Sequence, residues 1–183
     1  MNKIIDKLIF SFMLLGILAS CSEKQDFDQF DEIQIDPTLE ASILFVEATE
    51  SVINLAPNTS FFSQEFNFDA FSEEEYVTDR VVEGFIIYEV ENTTSKELDI
   101  LVEFLDEGGN VLDTELFEID PEPQPILQRE VFYGPGGRSI DIIKNLSGIR
   151  VSAINLGDTT SVSSLPDPKV ILRSSGRFTF SLR

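Results

Sequence analysis

The sequence predicts an all-β fold, an antiparallel β-sandwich carried by a single domain. Three observations lead there. Beyond Pro37 the apolar residues fall into short runs or alternate with polar ones, and Gly, Pro, Asn and Asp punctuate them. One stretch reads directly as a β-hairpin. The chain has 183 residues, 42% of them hydrophobic, which is enough for one packed core and too apolar for a disordered polymer despite a formal charge of −20.

Taken in order, Ser42 to Ala48 holds the run Ile43, Leu44, Phe45 and Val46, short enough for a buried strand. Phe66 and Phe68 alternate with Asn67 and Asp69, and Phe71 follows. Val81 to Val90 is β-branched and aromatic, and too short for a typical helix. Leu98, Ile100, Val102 and Phe104 then alternate with Asp99, Leu101, Glu103 and Leu105. The chain turns through Asp106, Glu107, Gly108, Gly109 and Asn110 and returns from Val111 to Ile119, which is the hairpin. Pro121, Pro123 and Pro125 lack ladder donors and end it.

Ile126 to Tyr133 is a further strand, followed by the loop Gly134–Gly137. One short helix is expected from Ser139 to Leu146, with Ser139 as its cap and Gly148 just past its end. Ile149 to Leu156, Lys169 to Arg173 and Arg177 to Leu182 are expected strands, separated by a polar loop from Gly157 to Pro168. Phe61, Phe62, Phe66, Phe68, Phe71 and Phe85 concentrate aromatics in one stretch, and the chain has no Trp to fill a core. They are expected inside the sandwich.

The N-terminus reads as an address. Lys3 and Lys7 precede an apolar run from Leu8 to Leu18, too short for the ~20 residues that span a bilayer and of signal-peptide length. Leu18, Ala19, Ser20 and Cys21 then resemble the lipobox of bacterial lipoproteins. That resemblance implies cleavage before Cys21, lipidation of its thiol and acylation of the new amino end, hence a membrane anchor. Ser22 after the Cys implies passage to the outer membrane, on its periplasmic face or the cell surface. The run Ser22 to Asp26 is similar to the acidic export tags of Bacteroidetes surface lipoproteins, interrupted by Lys24 and Gln25. The expected organisation is a signal peptide over 1–20, acylated Cys21 with a flexible acidic tether to residue 36, and one β domain over 37–183.

Tyr88 to Thr94, running into the hairpin, resembles the FxLYD-like immunoglobulin-like modules of bacterial envelope proteins. Val90, Asn92, Leu98, Ile100, Asp106, Gly109 and Val111 carry the likeness. It implies an immunoglobulin-like sandwich and says nothing about a ligand. The whole chain is similar to small uncharacterised lipoproteins of Flavobacteria and their relatives, which implies no known activity.

Composition narrows the chemistry. There is no His, and Cys21 is the one cysteine, so imidazole bases, His/Cys zinc sites and an internal disulfide are excluded. So negative a chain does not neutralise phosphates, which argues against nucleic acid. No nucleophile elbow, phosphate loop or framed carboxylate pair appears, so no catalytic residues are assigned and a non-enzymatic protein is expected. No cofactor is expected.

Calcium is the one ion considered. Its candidates are Asp69, Glu73, Glu74 and Glu75, the densest acid cluster of the domain. No interposed Gly or Asn stands at loop spacing, which favours a solvated loop. Asp158-Thr159-Thr160 resembles the O-glycosylation motif of Bacteroidetes and implies Thr159 as acceptor.

Charge is split along the chain. Residues 22–125 hold 28 acids and 3 bases, residues 126–183 hold 4 acids and 8 bases. Either an acidic face binds cations or a basic partner, or acidic early strands pair with basic late ones, the second being ordinary cross-strand chemistry. Function is expected by contact, as an accessory or structural component of the envelope with an envelope protein as partner. The alternative is a surface-displayed module that binds a cation or a glycan.

Overall fold

A computed structural model describes residues 36–56, 59–68, 75–122 and 125–182, with the backbone alone for 75–77. The signal segment, Cys21, the tether to residue 35, Asp69, Phe71, Glu73 and Glu74 lie outside the described residues. Eight strands are present: β1 (Thr38–Thr49), β2 (Ser60–Asn67), β3 (Val81–Asn92), β4 (Leu98–Leu105), β5 (Val111–Ile119), β6 (Leu127–Tyr133), β7 (Gly148–Asn155) and β8 (Lys169–Phe180). Three short helices interrupt them among the described residues: α1 (Glu50–Ile53), α2 (Glu75–Arg80) and α3 (Asp141–Lys144).

The strands form the expected antiparallel sandwich, two four-stranded sheets in the orders β1-β8-β3-β6 and β2-β7-β4-β5. These orders are those of a jelly roll, in which successive connections pass mostly from one sheet to the other. Immunoglobulin domains order their first, second, fifth and fourth strands in one sheet, so the winding here differs from theirs. Alternation along a strand specifies its inward face, and it carries no information about which strand lies beside it.

Period-two burial is clearest in β3 and β4. Ile86, Tyr88 and Val90 of β3 face Ile100, Val102 and Phe104 of β4 in one core, together with Phe117, Val131, Tyr133, Ile149, Val151 and Leu172. The expected hairpin is present, with Leu98 opposite Ile119 and Val102 opposite Glu115. At its tip Gly109 has φ 75°, a conformation that glycine adopts without a Cβ penalty. The Asp106 carboxylate accepts from the Asn110 amide at 2.8 Å and closes the turn.

Four expectations differ from the structure. Lys169 to Phe180 is one strand, because β1 and β3 pair with it on both sides and carry it through the polar Ser174-Ser175-Gly176 stretch. The last helix is one turn, Asp141–Lys144, and Gly148 opens β7. Ser139 stands just outside that helix, its Oγ accepting from the Asp141 amide at 3.2 Å. Helices α1 and α2 carry no sequence signal of length or stripe, being four and six residues long. Phe61, Phe62, Phe66 and Phe68 pack against the core, whereas Phe85 lies on the outer side of its sheet with its ring 4.9 Å from Phe132.

Candidate functional site

The four connections that follow odd-numbered strands gather at one end of the sandwich, and a polar hub ties them together. Glu50 opens α1 after β1 and is 3% exposed. Its Oε1 accepts from the Ser95 amide and the Ser95 hydroxyl, each at 2.7 Å, in the β3–β4 turn. Its Oε2 accepts from the Ser163 amide at 3.0 Å in the β7–β8 loop. Asn92 reaches a third connection, donating to Asp120 O at 3.0 Å as well as to Lys96 O at 2.8 Å. Ser163 Oγ hydrogen-bonds Glu122 Oε1, which draws in the β5–β6 connection again.

Beside Glu50, the Lys96 side chain is fully buried while its partner Asp158 is 59% exposed. Lys96 Nζ donates to Ser161 O at 2.7 Å, Ser161 Oγ at 2.8 Å and Asp158 Oδ1 at 3.2 Å. A serine and a lysine 2.8 Å apart raise the question of a nucleophile and its base. The proton inventory answers it. An ammonium has three N–H donors and no acceptor, and all three are committed here. Ser161 Oγ donates onward to Asp158 Oδ1 at 2.8 Å, so its proton is directed at a carboxylate and not at the lysine. Such a group clamps loops.

The same bonds set the local electrostatics. Donation from the Ser161 and Thr160 backbones, then from the Ser161 hydroxyl and Lys96, holds the Asp158 carboxyl far below the usual carboxylate range. Burial pushes the Glu50 carboxyl up, and donation by Ser95 and Ser163 with the charge of Lys96 outweighs it, so Glu50 too titrates low.

A second network closes one side of the sandwich, between edge strands β5 and β6. Asp113 and Glu115 lie on the inward phase of β5, with Phe117 and Ile119. Arg138 Nη1 donates to Asp113 Oδ2 at 2.6 Å, and its Nη2 lies against Glu115 Oε1. Arg129 Nη1 donates to Glu115 Oε2 at 2.7 Å and stacks its guanidinium 4.5 Å over the Phe117 ring. The Tyr133 hydroxyl donates to Asp113 Oδ2 at 2.8 Å. The Tyr88 hydroxyl is buried nearby without a hydrogen-bond partner among the described residues.

The sequence-predicted sites fall as follows. Cys21, Asp69, Glu73 and Glu74 lie outside the described residues, and Glu75 begins the backbone of α2. Among the described residues no group of three or more Asp, Glu, Cys or His is placed to hold a metal ion. Thr159 is half-buried beside Asp158 in the loop that the Lys96 clamp fixes. Sequence reasoning missed Glu50, Lys96, Asp113, Glu115 and Arg138. One signal was present: Asp113 and Glu115 share the phase of Phe117 and Ile119, which marks them as inward charges.

Surfaces open to contact among the described residues include an aromatic sheet face and a polar cleft. The outer side of the β1-β8-β3-β6 sheet carries Phe45, Phe85 and Phe132, with Arg173 5.9 Å over Phe45 and Arg177 5.2 Å over Phe85. At the opposite end from the hub, a polar cleft of about 500 Å³ is lined by Glu65, Asn67, Asp106, Glu107 and Ser147. No helix among the described residues is long and apolar enough to cross a membrane.

No protein-family model matches the chain, and no curated protein matches it. Among solved structures, the infectious bursal disease virus VP2 subviral particle is similar at 8% identity and a TM-score of 0.38, over 88% of this chain and 34% of that one. A Bacillus endospore appendage, from a family of disulfide-linked pili, aligns at 8% identity and a TM-score of 0.37, over 89% and 96% of the two chains. Desmodium yellow mottle tymovirus aligns at 5% identity and a TM-score of 0.36, over 81% and 90%. Likeness at this level carries no argument about function.

Proposed function

We propose that this chain is a lipid-anchored outer-membrane protein that acts by contact, as a non-enzymatic accessory or structural component of a bacterial cell envelope. The observation that carries the reading is the placement of the one cysteine, Cys21, directly after the apolar run and the small residues Ala19 and Ser20. Burying acyl chains contributes about 0.8 kcal/mol per methylene, so two or three long chains hold a protein almost irreversibly.

Cys21→Ser tests the anchor. The expected result is release of the protein from the membrane fraction. A variant that stays in the pellet under high salt, with its signal peptide removed, overturns lipid anchoring.

A second reading, a surface-displayed module that binds a cation or a glycan, draws on the polar lining of the cleft at Glu65, Asn67, Asp106 and Ser147, whose acids are not grouped as a metal site. Calorimetric titration with calcium separates the two: heat together with a raised melting temperature supports cation binding, and a flat titration removes it. Glycosylation at Thr159 belongs to the same surface display and is checked by intact mass of the native protein.

A further inference from the structure

Each edge strand of a sandwich presents unpaired N–H and C=O groups, and proteins protect such edges with charge, proline, bulges or shortness. Three of the four edges here are protected. β6 has seven residues and lies between Pro125 and a glycine-rich loop, β2 bulges between Ser60 and Phe62, and β5 turns Asp113 and Glu115 inward. The fourth, β1, runs for twelve residues without Lys, Arg or Pro. Among the described residues β8 is its one strand partner, and its single irregularity lies between Ser42 and Leu44.

Thr38–Ser42 of β1 are exposed, and Leu39, on the same inward phase as Phe178 opposite it, is 62% exposed. An apolar groove of about 250 Å³ opens beside it, lined by Leu39, Ala41, Ile43, Phe68, Ile143 and Phe178, among others. Drug-sized ligands occupy roughly 300–1,000 Å³, so this groove suits one or two side chains better than a small molecule.

We propose that Thr38–Ile43 of β1 and the adjoining groove form a docking site for an extended, cationic polypeptide segment of another protein, which adds to the sheet as a further strand. The inference rests on the contact reading above and names its surface. Main-chain hydrogen bonds to the free edge supply affinity, and alternate apolar side chains enter the groove. The charge of the segment follows from its seat: Glu40 lies on β1 with no ion pair among the described residues, because the Arg177 guanidinium across from it sits over Phe85, whereas Glu47 further along is already met by Lys169. A second copy of this chain brings the same acids to the contact, so like charges oppose self-pairing.

The probe is a fluorescent octapeptide alternating Lys with Val or Phe, titrated into the full chain in detergent and followed by anisotropy and amide hydrogen exchange. The expected result is saturable binding, with exchange protection over Thr38–Ile43. Affinity is expected to drop at least roughly tenfold when alternate peptide amides are N-methylated, and equally in Leu39→Glu. Leu39 is largely exposed, so that variant is expected to keep the parent melting temperature.

Absence of binding, binding indifferent to N-methylation, or protection elsewhere than β1 overturns the proposal. So does a dimer in sedimentation that Leu39→Glu dissolves. In cells, a photo-reactive residue at position 39 is compared with one at Glu118 on the other sheet. Cross-links from position 118 alone sink the docking site and leave the envelope reading standing. Peptide binding without cross-links from either position does the reverse.

Discussion

Two buried tyrosines on neighbouring strands show how much a single partner decides. Tyr133 donates to Asp113, whereas the Tyr88 hydroxyl is buried without a partner among the described residues. A hydrogen bond to a charged group is worth about 1.5–3 kcal/mol, and an unpaired buried donor costs about 1–3 kcal/mol. Tyr133→Phe is therefore expected to destabilise by about 2 kcal/mol, and Tyr88→Phe to be neutral or stabilising, both read by urea denaturation. Burial pushes both phenols well above their ordinary range, with the nearby acids adding to it. The folded phenols then stay protonated while unfolded ones ionise near pH ~10, so stability is full below that value and is lost as pH rises past it. Tyr88→Phe is expected to move the alkaline melting midpoint upward.

Lys96 and Asp158 make the opposite case, a residue whose bonds are all used. Lys96→Ala strips the clamp from the β7–β8 loop and is expected to cost about 3 kcal/mol in the same assay. The Asp158 and Glu50 carboxyls titrate below their unfolded values. Their contribution is present above the ordinary carboxylate range of about 4 and is lost as pH falls below it. Melting temperature is expected to fall on acidification from pH ~5 towards ~2, and to fall less in Asp158→Asn. None of these roles was legible in the sequence. Lys96 stood among acids as one more charge, and only the fold brings Glu50, Ser95, Ser161 and Ser163 to one point.

At the scale of elements, the hairpin was legible because its pairing is local, with five turn residues setting the register. The interruption at Ser174-Ser175-Gly176 was misleading because a central strand draws its stability from both neighbours. Gly176 and Gly84 are needed there by close approach: a Cβ on Gly84 would lie 2.2 Å from the Phe178 ring. The β5–β6 seam is the element most exposed to a single change. Arg138→Ala leaves Glu115 inward with Arg129, and Asp113 inward with no cation among the described residues, held by the Tyr133 hydroxyl. Because Arg138 is partly solvated, the expected loss is about 2–3 kcal/mol, below that of a fully buried pair. Denaturant melts of Arg138→Ala beside the charge-keeping Arg138→Lys check this, with partial recovery expected in the lysine variant.

For the whole molecule, the separation of charge along the chain becomes interleaving in space. Basic β8 runs between acidic β1 and β3, where Lys169 meets Glu47 and Arg173 meets Glu91. Basic β7 runs between β2 and β4, where Arg150 lies 3.3 Å from both Glu65 and Glu103. The acidic early strands therefore find their countercharges in the late ones, in line with the cross-strand reading. The tether is expected to add nothing to this packing. Deletion of residues 22–36 should leave the melting temperature within a few degrees, and a large drop in a calorimetric scan would assign those residues to the fold.

The sequence by itself determined the class of fold, most strand positions, the hairpin and the imbalance of charge, because each is written in residues a few places apart. The tertiary structure alone decided the jelly-roll winding, the hub at Glu50 and Lys96, the seam at Asp113 and Glu115 and the place of β1 at the end of its sheet. Those depend on which strands lie side by side, and neighbours separated by a hundred residues leave no mark in local pattern.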